Sequence, residues 1–229
     1  MPEGSPMRRN SKFAGAILLI LLSQFFFISP ASATGFLDDP VPPPDDHIVI
    51  DIVTVNGSGC PPGSAAVSVA PDNTAFTVTY STYLAQVGVG SRPTDFRKNC
   101  QLNVAVHVPQ GFTYAIARAD YRGFASLARG ANATQRASYY FQGMPQTEYR
   151  THTFTGALED NWQTSDETDI SALIYHPCGQ LRNLNINTEL RVNAGTSNTS
   201  TTTSFLAMDS ADGDINTTYH FHWEHCPNS

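Results

Sequence analysis

Asn183-Leu184-Asn185-Ile186-Asn187-Thr188-Glu189-Leu190-Arg191-Val192-Asn193 is the stretch whose pattern decides the fold. Leu184, Ile186, Leu190 and Val192 fall on one side of an extended chain, and Asn183, Asn185, Asn187, Glu189, Arg191 and Asn193 on the other. Successive side chains of a strand point to opposite faces, so this period of two predicts a strand with one buried and one wet face, as in an antiparallel sheet.

The same alternation recurs on both sides of it. Phe76, Val78 and Tyr80 alternate with Thr77 and Thr79, and Leu102, Val104, Val106 and Val108 alternate with Gln101, Asn103, Ala105 and His107. Pro109-Gln110-Gly111 supplies turn chemistry before Phe112, Tyr114 and Ile116 resume the apolar face, so these two segments are expected to form a hairpin. Tyr139 with Phe141 and His152 with Phe154 repeat the theme between Gly143 and Gly156. Residues 194–203 are a low-complexity loop. Phe205 to Met208 and Tyr219 to Trp223 flank Asp209 to Asp214, which predicts a last hairpin. The one helix-compatible stretch is Ser126 to Arg136. Roughly nine or ten short strands with regular turn signals predict an all-β fold, a single antiparallel β-sandwich of jelly-roll or Ig-like type, disulfide-bonded.

Composition agrees. Of 229 residues 41% are apolar and 14% charged, which excludes a disordered chain. Arg8, Arg9 and Lys12 precede an apolar run from Phe13 to Ile28, and Ala31-Ser32-Ala33 fits signal peptidase, so residues 1–33 are expected to be a signal peptide. Residues 34–46 are a Pro/Asp-rich lead-in, too rich in proline for helix or inner strand, and 47–229 form the single secreted domain. No later stretch approaches the ~20 apolar residues of a membrane span. Thirteen basic and twenty acidic residues give a net charge of −7. Removing Arg8, Arg9, Lys12 and Glu3 with the signal leaves ten against nineteen, or −9. Polyanions, nucleic acids included, are poor partners for such a chain without a local basic patch. The one dense basic stretch, Arg92 to Lys98, holds Arg92, Arg97 and Lys98 beside Asp95 and reads as a solvated loop.

Cys60, Cys100, Cys178 and Cys226 form an even set in an exported chain, with no closely spaced pair of the kind zinc sites use, which argues for two disulfides. Of three connectivities, Cys60–Cys100 and Cys178–Cys226 are favoured because each closes a loop of about 40 to 48 residues within one half of the chain. Sequons at Asn56, Asn132, Asn198 and Asn216 are candidate glycosylation sites in a eukaryotic host.

Chemistry is sparse. In His220-Phe221-His222-Trp223-Glu224-His225-Cys226, the side chains of His220, His222 and Glu224 share one strand face and Tyr219, Phe221 and Trp223 the other. His220 and His222 are the residues that could carry zinc or copper. Same-face neighbours stand ~7 Å apart, however, so they would need a ligand from another strand, and no metal or cofactor is assigned. Asp209, Asp212 and Asp214 around Gly213 miss the register of the calcium loop by one position and read as a turn. Gly-x-Ser-x-Gly, His-Glu-x-x-His and phosphate-loop motifs are missing, so no catalytic residue is assigned. Glu159-Asp160-Asn161-Trp162 joins acids to an aromatic platform and reads as an acidic loop anchored by its Trp. Exposed Trp or Tyr on a wet sheet face could stack on sugar rings without catalysis.

Gly57-Ser58-Gly59-Cys60-Pro61, Arg97-Lys98-Asn99-Cys100, Pro109-Gln110-Gly111-Phe112, Asp120-Tyr121-Arg122-Gly123, Tyr139-Tyr140-Phe141, Pro177-Cys178-Gly179 and Trp223-Glu224-His225-Cys226 together resemble a family of secreted microbial proteins, domain of unknown function 4360. The resemblance covers about residues 47–226 and implies a secreted, disulfide-bonded, all-β domain. It transfers no catalytic residue, and the His-rich ending departs from a plainer one in the family. Asp120-Tyr121-Arg122-Gly123 is expected to pair Asp120 with Arg122 across a bend while Tyr121 packs inward.

Export, disulfides, an acidic surface and missing catalytic motifs favour a non-enzymatic extracellular or cell-surface protein that binds polysaccharide or another protein. The alternative is a β-sandwich hydrolase using two carboxylates among Glu148, Glu159, Asp160, Asp166, Glu167 and Glu189. Thiol titration of the denatured, unreduced mature protein is expected to find essentially no free thiol; two per chain would overturn the disulfide scheme.

Overall fold

The structure, a computed structural model, describes residues 40–145, 149–208 and 216–227. The expected signal peptide, the start of the lead-in, Glu148 and the Asp209–Asp214 turn lie outside the described residues. Twelve strands follow in order: β1 (Val49–Asn56), β2 (Ala65–Val69), β3 (Ala75–Tyr80), β4 (Leu84–Gly88), β5 (Arg97–His107), β6 (Phe112–Leu127), β7 (Asn132–Phe141), β8 (Arg150–Thr155), β9 (Leu158–Glu167), β10 (Leu184–Asn193), β11 (Thr203–Ala207) and β12 (Thr217–His225). Between β9 and β10 one 3-10 turn covers Ile170–Ala172.

The strands make two antiparallel sheets. One has five strands in the order β1-β5-β10-β7-β8, and the other seven, β2-β3-β12-β6-β11-β4 with β9 added beside β6. β12 pairs with residues 112–121 of β6, β11 with 124–126 and β9 with 118–127. A strand has two edges, so β12 and β11 lie end to end along one and β9 takes the other. The core between the sheets is built from the apolar side of each alternation: Leu102 and Val104 of β5 and Leu184, Ile186, Leu190 and Val192 of β10 face Phe76, Tyr114, Tyr121, Tyr219 and Trp223.

β6 serves this core over 16 residues because its phase changes once. The pairing with β12 slips between His220/Arg118 and Phe221/Ile116, leaving Ala117 as an extra residue. Below this bulge Tyr114 and Ile116 point inward; above it Ala119, Tyr121, Gly123, Ala125 and Leu127 do. Gly123 is required by close approach, since a Cβ there would stand 2.4 Å from the Trp162 ring and 2.0 Å from the Ala207 carbonyl oxygen.

Several expectations are corrected. The segments 101–108 and 112–116 are not a hairpin: Pro109-Gln110-Gly111 carries the chain from one sheet to the other. Both edges of β5 are already taken by β1 and β10. β11 and β12 are not a hairpin either, since both hydrogen-bond to β6. In both cases alternation specifies a buried face and leaves the partner open. Residues 126–136 form no helix; they end β6, turn at Gly130 (φ 86°) and begin β7, whose pairing with β10 overrides local propensity. Residues 159–162, expected as a loop, lie in β9. In the Arg92–Lys98 stretch Asp95 is buried rather than solvated, with Arg92 at 3.1 Å and Lys98 at 2.9 Å; the Arg92 guanidinium first, then Lys98, hold its carboxyl well below the usual range.

The disulfides join Cys60 to Cys100, Cα atoms 5.3 Å apart, and Cys178 to Cys226, 5.8 Å apart. The first ties the turn before β2 to β5, the second ties the irregular segment after β9 to the end of β12. A further tie had no signal in the sequence. Asn73 sits in the left-handed region (φ 55°), donates Nδ2 to the carbonyls of Pro44 and Asp46, accepts the Ile48 N–H on Oδ1, and accepts the Trp223 indole N–H on its own carbonyl. It fixes the lead-in against the last strand.

His176 lies in that irregular segment, its N–H bonded to the Tyr114 carbonyl and its ring stacked 5.4 Å from the Tyr114 ring. Burial lowers its pKa below 6.5. The unfolded chain therefore takes up this proton first as pH falls, so stability is full above about pH 6.5 and declines below it until the folded imidazole titrates. Melting temperatures measured from pH 7.5 to 5 are expected to fall less steeply for His176→Gln than for the wild type; equal slopes would show that His176 is not held neutral.

Candidate functional site

The wet face foreseen for residues 183–193 is the outer face of the five-stranded sheet. On β10, Asn185, Asn187, Glu189 and Arg191 point outward, opposite Asn103, Gln101, Asn99 and Arg97 of β5 and Tyr140, Ser138, Arg136 and Thr134 of β7. Thr54 and Asn56 of β1 complete the row beside Asn103 and Gln101. Glycine and proline are missing from these strands, and their outward positions carry mostly amide, hydroxyl and charged side chains.

A cleft of 230 Å³ opens here, lined by Thr54, Asn56, Gln101, Asn103, Tyr140, Asn185 and Asn187. Asn183 Nδ2 donates to Asn103 Oδ1 (2.6 Å) and Asn103 Nδ2 donates to Asn185 Oδ1 (2.8 Å), an amide chain that sets which oxygens and nitrogens face outward. Asn187 is only 8% exposed, but its amide atoms reach solvent through the cleft and make no hydrogen bond within the protein among the described residues; the exposed amides of Gln101 and Asn56 make none either. Three amides turned to one opening with no protein partner are suited to a polar ligand that supplies donors and acceptors together.

Next to the cleft, Glu189 is buried at 4% exposure and surrounded by arginines. Arg97 pairs with Oε2, Arg136 Nε stands 3.2 Å from Oε1 and Arg191 Nη2 3.7 Å from Oε1. These guanidiniums come from β5, β7 and β10.

Other candidates are placed elsewhere. His220 Nε2 lies 2.9 Å from Asp120 Oδ2, while His222 Nδ1 shares a hydrogen bond of 2.9 Å with the Tyr175 hydroxyl, so the two imidazoles on the outer face of the seven-stranded sheet have separate partners. Asp120 pairs with Arg118, not Arg122, and the segment runs straight in β6 without the expected bend. Burial alone would raise the Asp120 pKa; the Ser165 hydroxyl, Arg118 and His220 outweigh it and lower it. Asp166 points inward and accepts from Tyr139 (2.6 Å), with His152 Nε2 at 2.8 Å and the Tyr121 hydroxyl on Tyr139 behind them.

Among the described residues the carboxylates of the hydrolase alternative are spread over the fold. Asp166 lies between the sheets and Glu189 on the outside of the five-stranded one. Glu159 and Glu167 occupy the outer side of β9, eight residues or about 27 Å apart. Trp162 and Trp223 are both buried, so neither offers a sugar platform; the aromatic ring in the cleft is Tyr140. Sequence alternation had placed Asn185, Asn187, Glu189 and Arg191 on one face, but Tyr140, Gln101 and the two other arginines joined them only through pairing. A larger groove of 600 Å³ lies beside Cys178–Cys226, where Arg182 donates to Gln180, and a 70 Å³ pocket near Ile174 is mainly apolar.

Glu189→Gln is expected to lower stability by up to about 3 kcal/mol in urea unfolding, less than for a fully enclosed pair because the arginines can turn to solvent. An unchanged unfolding midpoint would show that the cluster holds nothing together.

The chain is 34% identical over 201 residues to an uncharacterized secreted protein of Arthroderma benhamiae, covering 88% of this chain and 79% of that one. Among solved structures, a family 11 carbohydrate-binding module from Clostridium thermocellum, in complex with a β-1,3-1,4-mixed-linked tetrasaccharide, matches with a TM-score of 0.25 and 9% identity over 74% of this chain and 90% of that one. The enzymatically active domain of bacteriophage CBA120 tailspike protein 4 matches with a TM-score of 0.22 and 11% identity over 79% of this chain and 19% of that one. Likenesses so distant have no bearing on the site. The disulfides and the secreted relative agree that this is an extracellular protein. Residues 46–226 match the family described as Domain of unknown function (DUF4360), and the chain belongs to that family.

Proposed function

We propose that this is a non-catalytic secreted protein that binds polysaccharide on the outer face of its five-stranded sheet. The observation that carries the reading is the convergence of the Asn187, Gln101 and Asn56 amides, none hydrogen-bonded within the protein, beside Tyr140 in one open cleft. Amides donate and accept at once, as hydroxyl pairs on a sugar ring require, and a tyrosine ring offers an apolar face with a polar tip. A shallow cleft smaller than the roughly 300–1,000 Å³ of an enclosed small-molecule site suits one unit of a chain lying across the surface. Carboxylates spread over three separate surfaces support binding without turnover.

In this reading residues 1–33 direct export, and N-glycans belong to sequons exposed on the fold. Asn198, on an exposed loop, is the best placed. Asn56 lines the cleft itself, so a glycan there would cover it; Asn132 and Asn216 are half-buried.

Native affinity electrophoresis against β-glucan, xylan, soluble chitin oligomers and pectin tests the proposal. Retardation by at least one glycan is expected, and Asn187→Ala combined with Tyr140→Ala is expected to weaken it at least about tenfold while melting temperature stays close to the wild type. Retention unchanged in that double variant, or no retention by any glycan, would sink the reading.

A further inference from the structure

We infer that the polysaccharide is an acidic one, its anionic groups held by Arg97, Arg136 and Arg191 while the rest of the sugar chain occupies the amide cleft. This rests on the saccharide reading above and names the class of sugar. Asn187 and Glu189 are two positions apart on the same face of β10, about 7 Å, so the cleft and the arginines form one continuous surface.

Three features make the arginines a site and not merely a structural pairing. First, the cluster is under-neutralised. Three guanidiniums bring about fifteen N–H donors to one carboxylate with about four acceptor positions, leaving two positive charges and most donors without a place on the carboxylate, on side chains 38% to 49% exposed. Second, it is held in place. Glu189 lies beneath, the Arg136 guanidinium sits 4.6 Å over the Tyr149 ring and that of Arg191 6.0 Å over Phe96, with both rings exposed. Cation–π contact keeps a guanidinium flat and its edge available for a forked bond to an oxyanion.

Third, charge is segregated between the sheets. The outward positions of the five-stranded sheet carry Arg97, Arg136 and Arg191 against Asp51 and Glu189, one positive charge in excess, with Lys98 and Arg150 on its inner alternation. Those of the seven-stranded sheet carry Arg118 and Arg122 against Asp120, Glu159, Glu167 and Glu224, two negative in excess. In a chain of net charge −7 this positive face is a feature of the fold. A nucleic acid fits less well, because its evenly spaced phosphates call for a line of cations, and beyond the cluster this face presents neutral amides.

The test compares polygalacturonic acid with the same polymer fully methyl-esterified, and a sulfated glucan with its unsulfated parent, at about 0.15 M salt, with single-stranded DNA as a polyanion control. The acid is expected to bind at least about tenfold tighter than its ester. Arg136→Gln and Arg191→Gln, each checked by near-ultraviolet circular dichroism, are expected to bring that ratio close to one while sparing the weaker binding of the ester, which Asn187→Ala removes. Arg191→Lys keeps the charge but not the fork and should recover only part of the preference. A matching preference for the sulfated glucan supports the same oxyanion chemistry. Ester bound as tightly as acid overturns the acidic assignment and leaves the saccharide reading standing, whereas failure of every glycan overturns both. DNA bound as tightly as polygalacturonate, or an acid preference untouched by the arginine variants, also overturns it.

Discussion

A single carboxylate organises the outer face of the five-stranded sheet. Glu189 sits at its centre, almost sealed from water, where a carboxylate is costly to bury without positive neighbours. Arg191 shares its strand and face, while Arg97 and Arg136 come from the neighbouring strands β5 and β7 and reach it only in the native register. A slip by one residue between these strands would put Glu189 on the opposite side of the sheet from Arg97 and Arg136. The interaction thus does two things. It penalises wrong pairings of β5, β7 and β10, and it leaves a cluster of guanidiniums facing solvent.

The other sheet handles its polar groups differently. Asp120 is closed by Ser165, Arg118 and His220, and Asp166 by Tyr139 and His152. Those carboxylates have donors from the protein itself, whereas the amides of Asn187, Gln101 and Asn56 have none. That difference, amides left to solvent on one face and carboxylates closed by the protein on the other, is what the proposed binding face rests on.

The sandwich depends on two local departures from regular structure. The Ala117 bulge changes the phase of β6 once, so one long strand presents Tyr114 at one end and Tyr121 at the other to the same core. Asn73 adopts a left-handed backbone that few side chains tolerate, and in return binds the lead-in and Trp223. Neither changes the class of the fold, but both decide where chain segments meet.

The sequence by itself determined the all-β class, the two faces of residues 183–193 and the outward set Asn185, Asn187, Glu189 and Arg191, because side-chain alternation is a local property of an extended chain. It also pointed to paired cysteines, since an exported chain with an even count has few other uses for them. Tertiary structure alone decided which strands are neighbours: the turn at Pro109-Gln110-Gly111 bends the chain but cannot say whether the next strand pairs or crosses to the other sheet. For the same reason Tyr140 and Gln101 reached the cleft, and Trp162 left the surface, only once β7, β5 and β9 were placed. The basic face was invisible in a chain of net negative charge because Arg97, Arg136 and Arg191 are far apart in sequence, and only hydrogen bonding between three strands brings their charges within reach of one carboxylate.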